Sequence, residues 1–358
     1  MCSIFSKKSN MNQTYSYNGF TYKNEANPNE YIEHDKLKPD NIFKYYGISK
    51  YSVDALLRGY LYASHPFDLN DTLDSSYAIY SSSNRLSKQQ YQNFYKTKSK
   101  KELDEIYQED TLNKKFIADF YNCSSSMFGI ISMSGDTNND LIWPHYTQEE
   151  GFQLMFKTHK LEQSIKNTLN EEDDFLGLYP LNYCKELKTI DLSKLQNAYI
   201  SAFLYLTNVK MACWEYENEW RFIIGKNNMK IPYTKIGLHQ GTDHGEIENR
   251  YVYYDNNLVE RIVIGKNFFN GRVFKIKPIE IMKWELTIKE NPCKDNNFYK
   301  DFLNYIISNL NDKFYISDTC GIPDGTNYRM VRRIVRANID RIHKDSYFLV
   351  LTNEIETF

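Results

Sequence analysis

Apolar runs in this sequence are short and unevenly spaced, and that irregularity limits the folds open to it. Residues 42–46, 60–64, 127–133, 151–156, 178–184, 220–224, 251–254, 261–264 and 273–281 read as strands. Helical patterning covers residues 50–58, 86–120 and 192–205. An even alternation of strand and helix would indicate a doubly wound parallel sheet. The pattern here predicts an α+β fold with a mixed, largely antiparallel sheet core. Its first unit is the most explicit: a strand ends at Gly47, and Ser49 can cap a helix with Val53, Leu56 and Leu57 on its apolar face. Gly59 stops that helix before a second strand breaks at His65 and Pro66.

Around this core the composition shifts twice. Residues 1–40 are polar and lack a sustained period, so they are expected to form a poorly ordered lead-in to a core domain over 41–285. Within that domain, the charged helical stretch at about 86–120 reads as an insertion lying over the core. Residues 286–358 read as a small C-terminal α+β appendage: a helix over 298–310, a turn over 321–325, a helix over 328–343 and a strand over 347–351. In the helix expected at 328–343, Val331, Ile334, Val335, Ile339 and Ile342 make an apolar stripe. Arg329, Arg332, Arg333, Arg336 and Arg341 make a basic face, which either tracks nucleic-acid phosphates or meets acidic loops of the same chain.

The 44 basic and 46 acidic residues nearly cancel, so no global field marks nucleic acid or an anionic membrane as partner. The 30 Tyr and 21 Phe predict an aromatic core whose buried phenols need hydrogen-bond partners. Six dispersed cysteines form no metal-binding spacing, and no metal is expected. No apolar run is long enough for a membrane helix or a signal peptide, so a cytoplasmic protein with free thiols and no membrane partner is expected. Walker, GxGxxG, HExxH, GxSxG and EF-hand patterns do not occur.

Three polar constellations remain. Ser64, His65, Pro66, Asp68, Asn70 and Asp71 sit at a strand exit, where Asn70 and Asp71 hold a ribose or polar substrate edge, or bond their own backbone in an Asx-turn. Trp143, His145 and Tyr146 either stack a base and relay a proton or pack internally; Pro144 keeps them out of a regular helix. The third constellation, residues 214–221, alternates acids with bulky residues. At period two, Glu215, Glu217, Glu219 and Arg221 share one side. Three acids in a row repel unless a cation sits among them, and Arg221 is placed to hold one ionised. Another reading is an edge strand studded with charge against aggregation.

Taken in order, Lys44-Tyr45, Leu61 to Ser64 with Pro66 and Asn70-Asp71, Ser132-Met133-Ser134, and Trp143 to Tyr146 form a set. It continues through Gly151-Phe152, Trp214 with Glu217 to Arg221, and Ile262 to Gly265. This set resembles the bacterial domain-of-unknown-function family 2971 over about residues 41–285, with Thr72 departing from a proline usual there. The layout is also similar to ADP-ribosyltransferase-like enzymes. That likeness implies NAD as cofactor, an aromatic slot from Tyr45, Tyr62 and Tyr146, and a carboxylate, Glu219 or Glu217, that stabilises an oxocarbenium-like ribose. It makes Arg221 and His145 the other catalytic candidates, and adds Ser64, Asn70, Asp71 and Trp143 to the residues expected at the NAD. The expected function is ADP-ribosylation of a macromolecular target, in bacterial antiphage defence. The alternatives are a non-catalytic module sensing a nucleotide or phage component, and a metal-dependent nuclease or phosphohydrolase using Asp68, Asp71 and the glutamates.

Overall fold

The computed structural model describes residues 14–24, 30–137, 139–169, 175–195, 199–226, 229–232, 244–290 and 296–357. It is α+β with mostly antiparallel strands, and it divides into two compact units, each assembled from three separated stretches of chain.

The first unit comprises Met1–Lys38, Tyr62–Ser132 and Lys166–Val252. Its opening corrects the expected poorly ordered lead-in, because Thr14–Tyr17 and Phe20–Lys23 pair antiparallel and Ile32–Glu33 adds a third strand. Asn18 and Gly19 both take positive φ, the geometry of a tight two-residue hairpin turn. Residues 1–13 and 25–29 of the expected lead-in lie outside the described residues. The stretch expected at about 86–120 forms helices Lys88–Phe94, Lys100–Glu109 and Lys114–Met127, the last running past the expected end. Ser87 with Gln90 and Ser99 with Glu102 close reciprocal capping boxes on the first two. These helices do more than lie over the core: Tyr91, Phe94, Phe116 and Phe120 pack in one buried cluster with Tyr22, Phe203 and Tyr205. Some of the buried phenols find partners, as Tyr91 donates to Asp110 at 2.7 Å, Tyr121 to the Ser75 carbonyl at 2.9 Å and Tyr205 to the Lys188 carbonyl at 2.6 Å, whereas the Tyr80 and Tyr199 hydroxyls are buried without one among the described residues.

The second unit comprises Pro39–Leu61, Met133–Ile165 and Tyr253–Phe358. Its strands run in the order Phe274–Glu280, Lys283–Ile288, Ser346–Thr357, Asn327–His343, Phe314–Asp324, Val259–Ile264, Phe152–Lys157 and Asn41–Tyr46. Neighbours are antiparallel except Val259–Ile264 with Phe314–Asp324, which are parallel. Helix Lys50–Arg58 has the expected ends: Ser49 and Ser52 form a capping box, and Gly59 is left-handed at φ 65°.

Here the chain departs from two expectations. The basic helix expected at 328–343 is the strand Asn327–His343. Its register with Ser346–Thr357 breaks between Val335 and Ala337, and burial changes phase at the same place. Arg332 and Ile334 are buried before the break, and Val335, Ala337 and Ile339 through it. Two period-two runs set out of phase imitate a helical stripe. Nor is residue 285 a boundary, since Lys283–Ile288 runs across it and pairs with Ser346–Thr357. Three of the five arginines, Arg332, Arg333 and Arg336, meet acids of the same unit. Arg333 bonds Asp318 at 2.7 Å and Arg336 bonds Glu354 at 2.8 Å. Buried Arg332 bonds both oxygens of Glu149, at 2.7 and 3.1 Å, and lies over the Trp143 ring.

Candidate functional site

In the first unit, helix Tyr199–Asn208 leads directly into the short strand Val209–Met211, which carries Lys210 into the interior. Two tight turns over Ala212–Glu217 follow, and Asn218 takes φ 43°. Strand Glu219–Gly225 then begins, paired antiparallel with Phe175–Pro180. The expected extended run from residue 214 is therefore corrected. Only Glu219 and Arg221 share a strand face, while Glu215 is exposed on the turn. Glu217, although on the turn, still points inward.

Five charged side chains meet there. Lys210 Nζ lies 2.5 Å from Glu217 Oε2, 2.9 Å from Glu219 Oε2 and 3.7 Å from Asp74 Oδ2. Arg221 donates from Nε to Glu219 Oε1 at 2.7 Å and from Nη1 to Asp74 Oδ1 at 2.9 Å, and its Nη2 meets Asp74 Oδ2. A further Nη1 bond, 2.7 Å, reaches the Thr207 carbonyl. None of the five side chains is more than 6% exposed. Three carboxylates face two cations, so the formal charge of the cluster is one negative.

Its electrostatics follow from burial set against pairing. Desolvation pushes the Glu219 carboxyl up, but Arg221 and Lys210 outweigh it and hold the group well below the usual carboxylate range. Burial alone would lower Lys210, yet Glu219, Asp74 and Glu217 leave its ammonium above the ordinary lysine value. Arg221 is raised in the same way by Asp74 and Glu219. Breaking up such a buried network leaves uncompensated charge, which costs about 3–5 kcal/mol per removed partner.

Of the residues expected at the site, the structure brings Glu217, Glu219 and Arg221 together. Lys210 and Asp74 are the members that sequence reasoning missed. Asp74 follows the Asn70-Asp71 turn, in which Asp71 Oδ1 accepts the Leu73 N–H at 3.0 Å and Asn70 is exposed. This is the Asx-turn alternative for Asp71. Also in the first unit, Tyr62 stands edge-on to Tyr251, its phenol pushed up to about 12 by burial. Ser64 exchanges backbone hydrogen bonds with Ile130.

The remaining expected residues belong to the second unit. Tyr45 is edge-on to Trp143 at 5.4 Å, and its hydroxyl donates to the Asp136 and Thr137 carbonyls. Trp143 is buried with Val263 and Ile334. A wide turn over Trp143–Thr147 leaves His145 exposed and Tyr146 half-buried. Among the described residues, no group of three or more His, Cys, Asp or Glu side chains is arranged to hold a metal ion. No described helix is long and apolar enough to cross a membrane.

Compared with known proteins, residues 142–222 match the family model described as Protein of unknown function (DUF2971). The resemblance read from the sequence holds over that stretch, which contains Lys210, Glu217, Glu219 and Arg221; Asp74 lies outside it. No curated protein and no solved structure matches the chain.

Proposed function

We propose that this chain, whose family match assigns no activity, is an ADP-ribosyltransferase-like enzyme that uses NAD to modify a macromolecular target, in the setting of antiphage defence. One observation carries the reading: Glu219 is buried yet kept ionised by Arg221 and Lys210. A negative charge fixed in advance, in surroundings of low dielectric, is what favours positive charge developing on a ribosyl carbon. A formal surplus of one negative charge, left after Lys210 and Arg221 are counted against Asp74, Glu217 and Glu219, supports the reading. Bound NAD would supply an ADP-ribosyl group whose anomeric carbon becomes electron-poor as the bond to the nicotinamide nitrogen breaks, the electron pair leaving with nicotinamide and an acceptor nucleophile taking its place. In this scheme Glu219 provides the stabilising charge and Glu217 stands beside it, on the same ammonium. Arg221, anchored by Asp74, keeps Glu219 ionised and fixed in orientation.

A specific observation favours a second reading, a binding module without turnover. Both Glu219 oxygens already hold a cation, at 2.7 and 2.9 Å. One experiment separates the two. Purified protein is incubated with NAD and with DNA, RNA and protein targets, and nicotinamide release is followed alongside thermal shift. Release that Glu219→Gln lowers about a hundredfold or more supports transfer. A saturable thermal shift without release supports binding alone. Release unchanged by both Glu219→Gln and Glu217→Gln removes the acids from the mechanism.

A further inference from the structure

The long hairpin of the second unit outruns the strands on either side of it. Phe314–Asp324 and Asn327–His343 stay paired out to Asp324 and Asn327. Val259–Ile264 leaves the first of them after Ile316, and Ser346–Thr357 leaves the second at Arg333. Residues 319–324 and 327–332 therefore form a two-stranded ribbon, with no third strand on either edge among the described residues. A ribbon of two strands is marginally stable in water, and its unpaired N–H and C=O groups are a template for another strand. Its root is held, Arg332 by Glu149 and Arg333 by Asp318. Beyond the root, Tyr328 and Met330 are 74% and 69% exposed on one face, next to Gly321. The strand at the end of this unit's sheet, Phe274–Glu280, shows the usual guard on an edge, with Lys275, Lys277 and Pro278. Asn327 to Arg332 contains neither lysine nor proline.

We propose that this unguarded edge receives the same edge of a second copy of the chain, the two ribbons joining antiparallel about a twofold axis at Tyr328. Side chains alternate between faces, so an antiparallel twofold axis must fall on a residue. An axis on Arg329 would oppose two guanidinium groups, and one on Met330 would run Asn327 of the second copy against Arg333, where Thr357 already pairs. An axis on Tyr328 avoids both and sets the two phenol rings opposite each other. It also makes the charges complementary. Across the four strands, one row on one face reads Ile322, Arg329, then Asn327 and Asp324 of the second copy, because Ile322 pairs with Arg329 and Asp324 with Asn327 within each ribbon. Arg329 and the second copy's Asp324 are then two strand spacings apart, about 10 Å between Cα atoms, a span that the long arginine stem covers. The symmetry gives that pair twice.

The test is sedentation-equilibrium analysis of the full chain over a dilution series, by sedimentation equilibrium in the ultracentrifuge. The expected result is a dimer that dissociates on dilution. Tyr328→Lys, which sets two ammonium groups opposite each other, should raise the dissociation constant about tenfold or more. Asp324→Arg and Arg329→Asp should each weaken the dimer, and the double exchange Asp324→Arg with Arg329→Asp should restore it to within a fewfold of wild type. Because these side chains are exposed, the variants should melt at the wild-type temperature, which is measured alongside. A chain that stays monomeric at about 100 μM overturns the proposal, whatever else the ribbon binds. A dimer that folded Tyr328→Lys leaves unchanged, or one that the double exchange does not rescue, also overturns it.

Discussion

Glu219 accepts from Arg221 on one oxygen and from Lys210 on the other, and this sets its response to acid. Because the folded protein lowers the affinity of this carboxylate for protons, the unfolded chain takes up that proton more readily. The stabilisation is therefore present in full above the unfolded glutamate value of about 4.3 and is lost as pH falls below it. The wild-type melting temperature is expected to fall between about pH 5 and about pH 3 more steeply than that of Glu219→Gln. Parallel curves would exclude Glu219 as a source of the slope. At this scale the sequence was partly legible. Three closely spaced acids announce a need for cations, and Arg221 follows at strand spacing. Asp74 and Lys210 reach the cluster through tertiary structure alone. The one local hint was a lysine entering a short strand straight after an apolar helix, at Leu204 to Met211.

Elements whose instructions are local were the readable ones. The Ser49 cap and the Gly59 stop bound helix Lys50–Arg58 as its residues indicate. The Asn18-Gly19 hairpin carried an equally local signal, an Asn-Gly pair between two alternating runs, that the polar composition around it obscured. Strand Asn327–His343 failed for a different reason, since a register break in its partner pairing moves the buried set from one parity to the other. The family-like glycines are also explained at this scale. A Cβ on Gly151 would run into the Tyr46 carbonyl, and one on Gly265 into the Glu149 carbonyl. Gly151→Ala is expected to destabilise the protein by about 1–3 kcal/mol, by forced displacement of packed backbone. Denaturant unfolding with an unchanged m-value would measure this, and a midpoint equal to wild type would refute it.

For the whole molecule, the division into two units made of interleaved stretches governs what can be removed. Residues 286–358, expected as an appendage, supply strands to the second unit, where Phe314 to Ile316 pair with Ile262 to Ile264. A chain ending at residue 285 should therefore lose the second unit's protection from proteolysis instead of shedding a dispensable module. Retention of a protease-resistant core containing Val259–Ile264 would contradict this. The interleaving was not legible beforehand because nothing in a sequence states which distant stretches share a core. It also bears on synthesis. The N-terminal hairpin packs Tyr15, Tyr17 and Tyr22 around Tyr205, so its inner face stays wet until residue 205 has emerged, at roughly 5–20 residues per second. The hairpin's tyrosine face is thus among the first apolar surfaces to leave the ribosome and among the later ones to be covered.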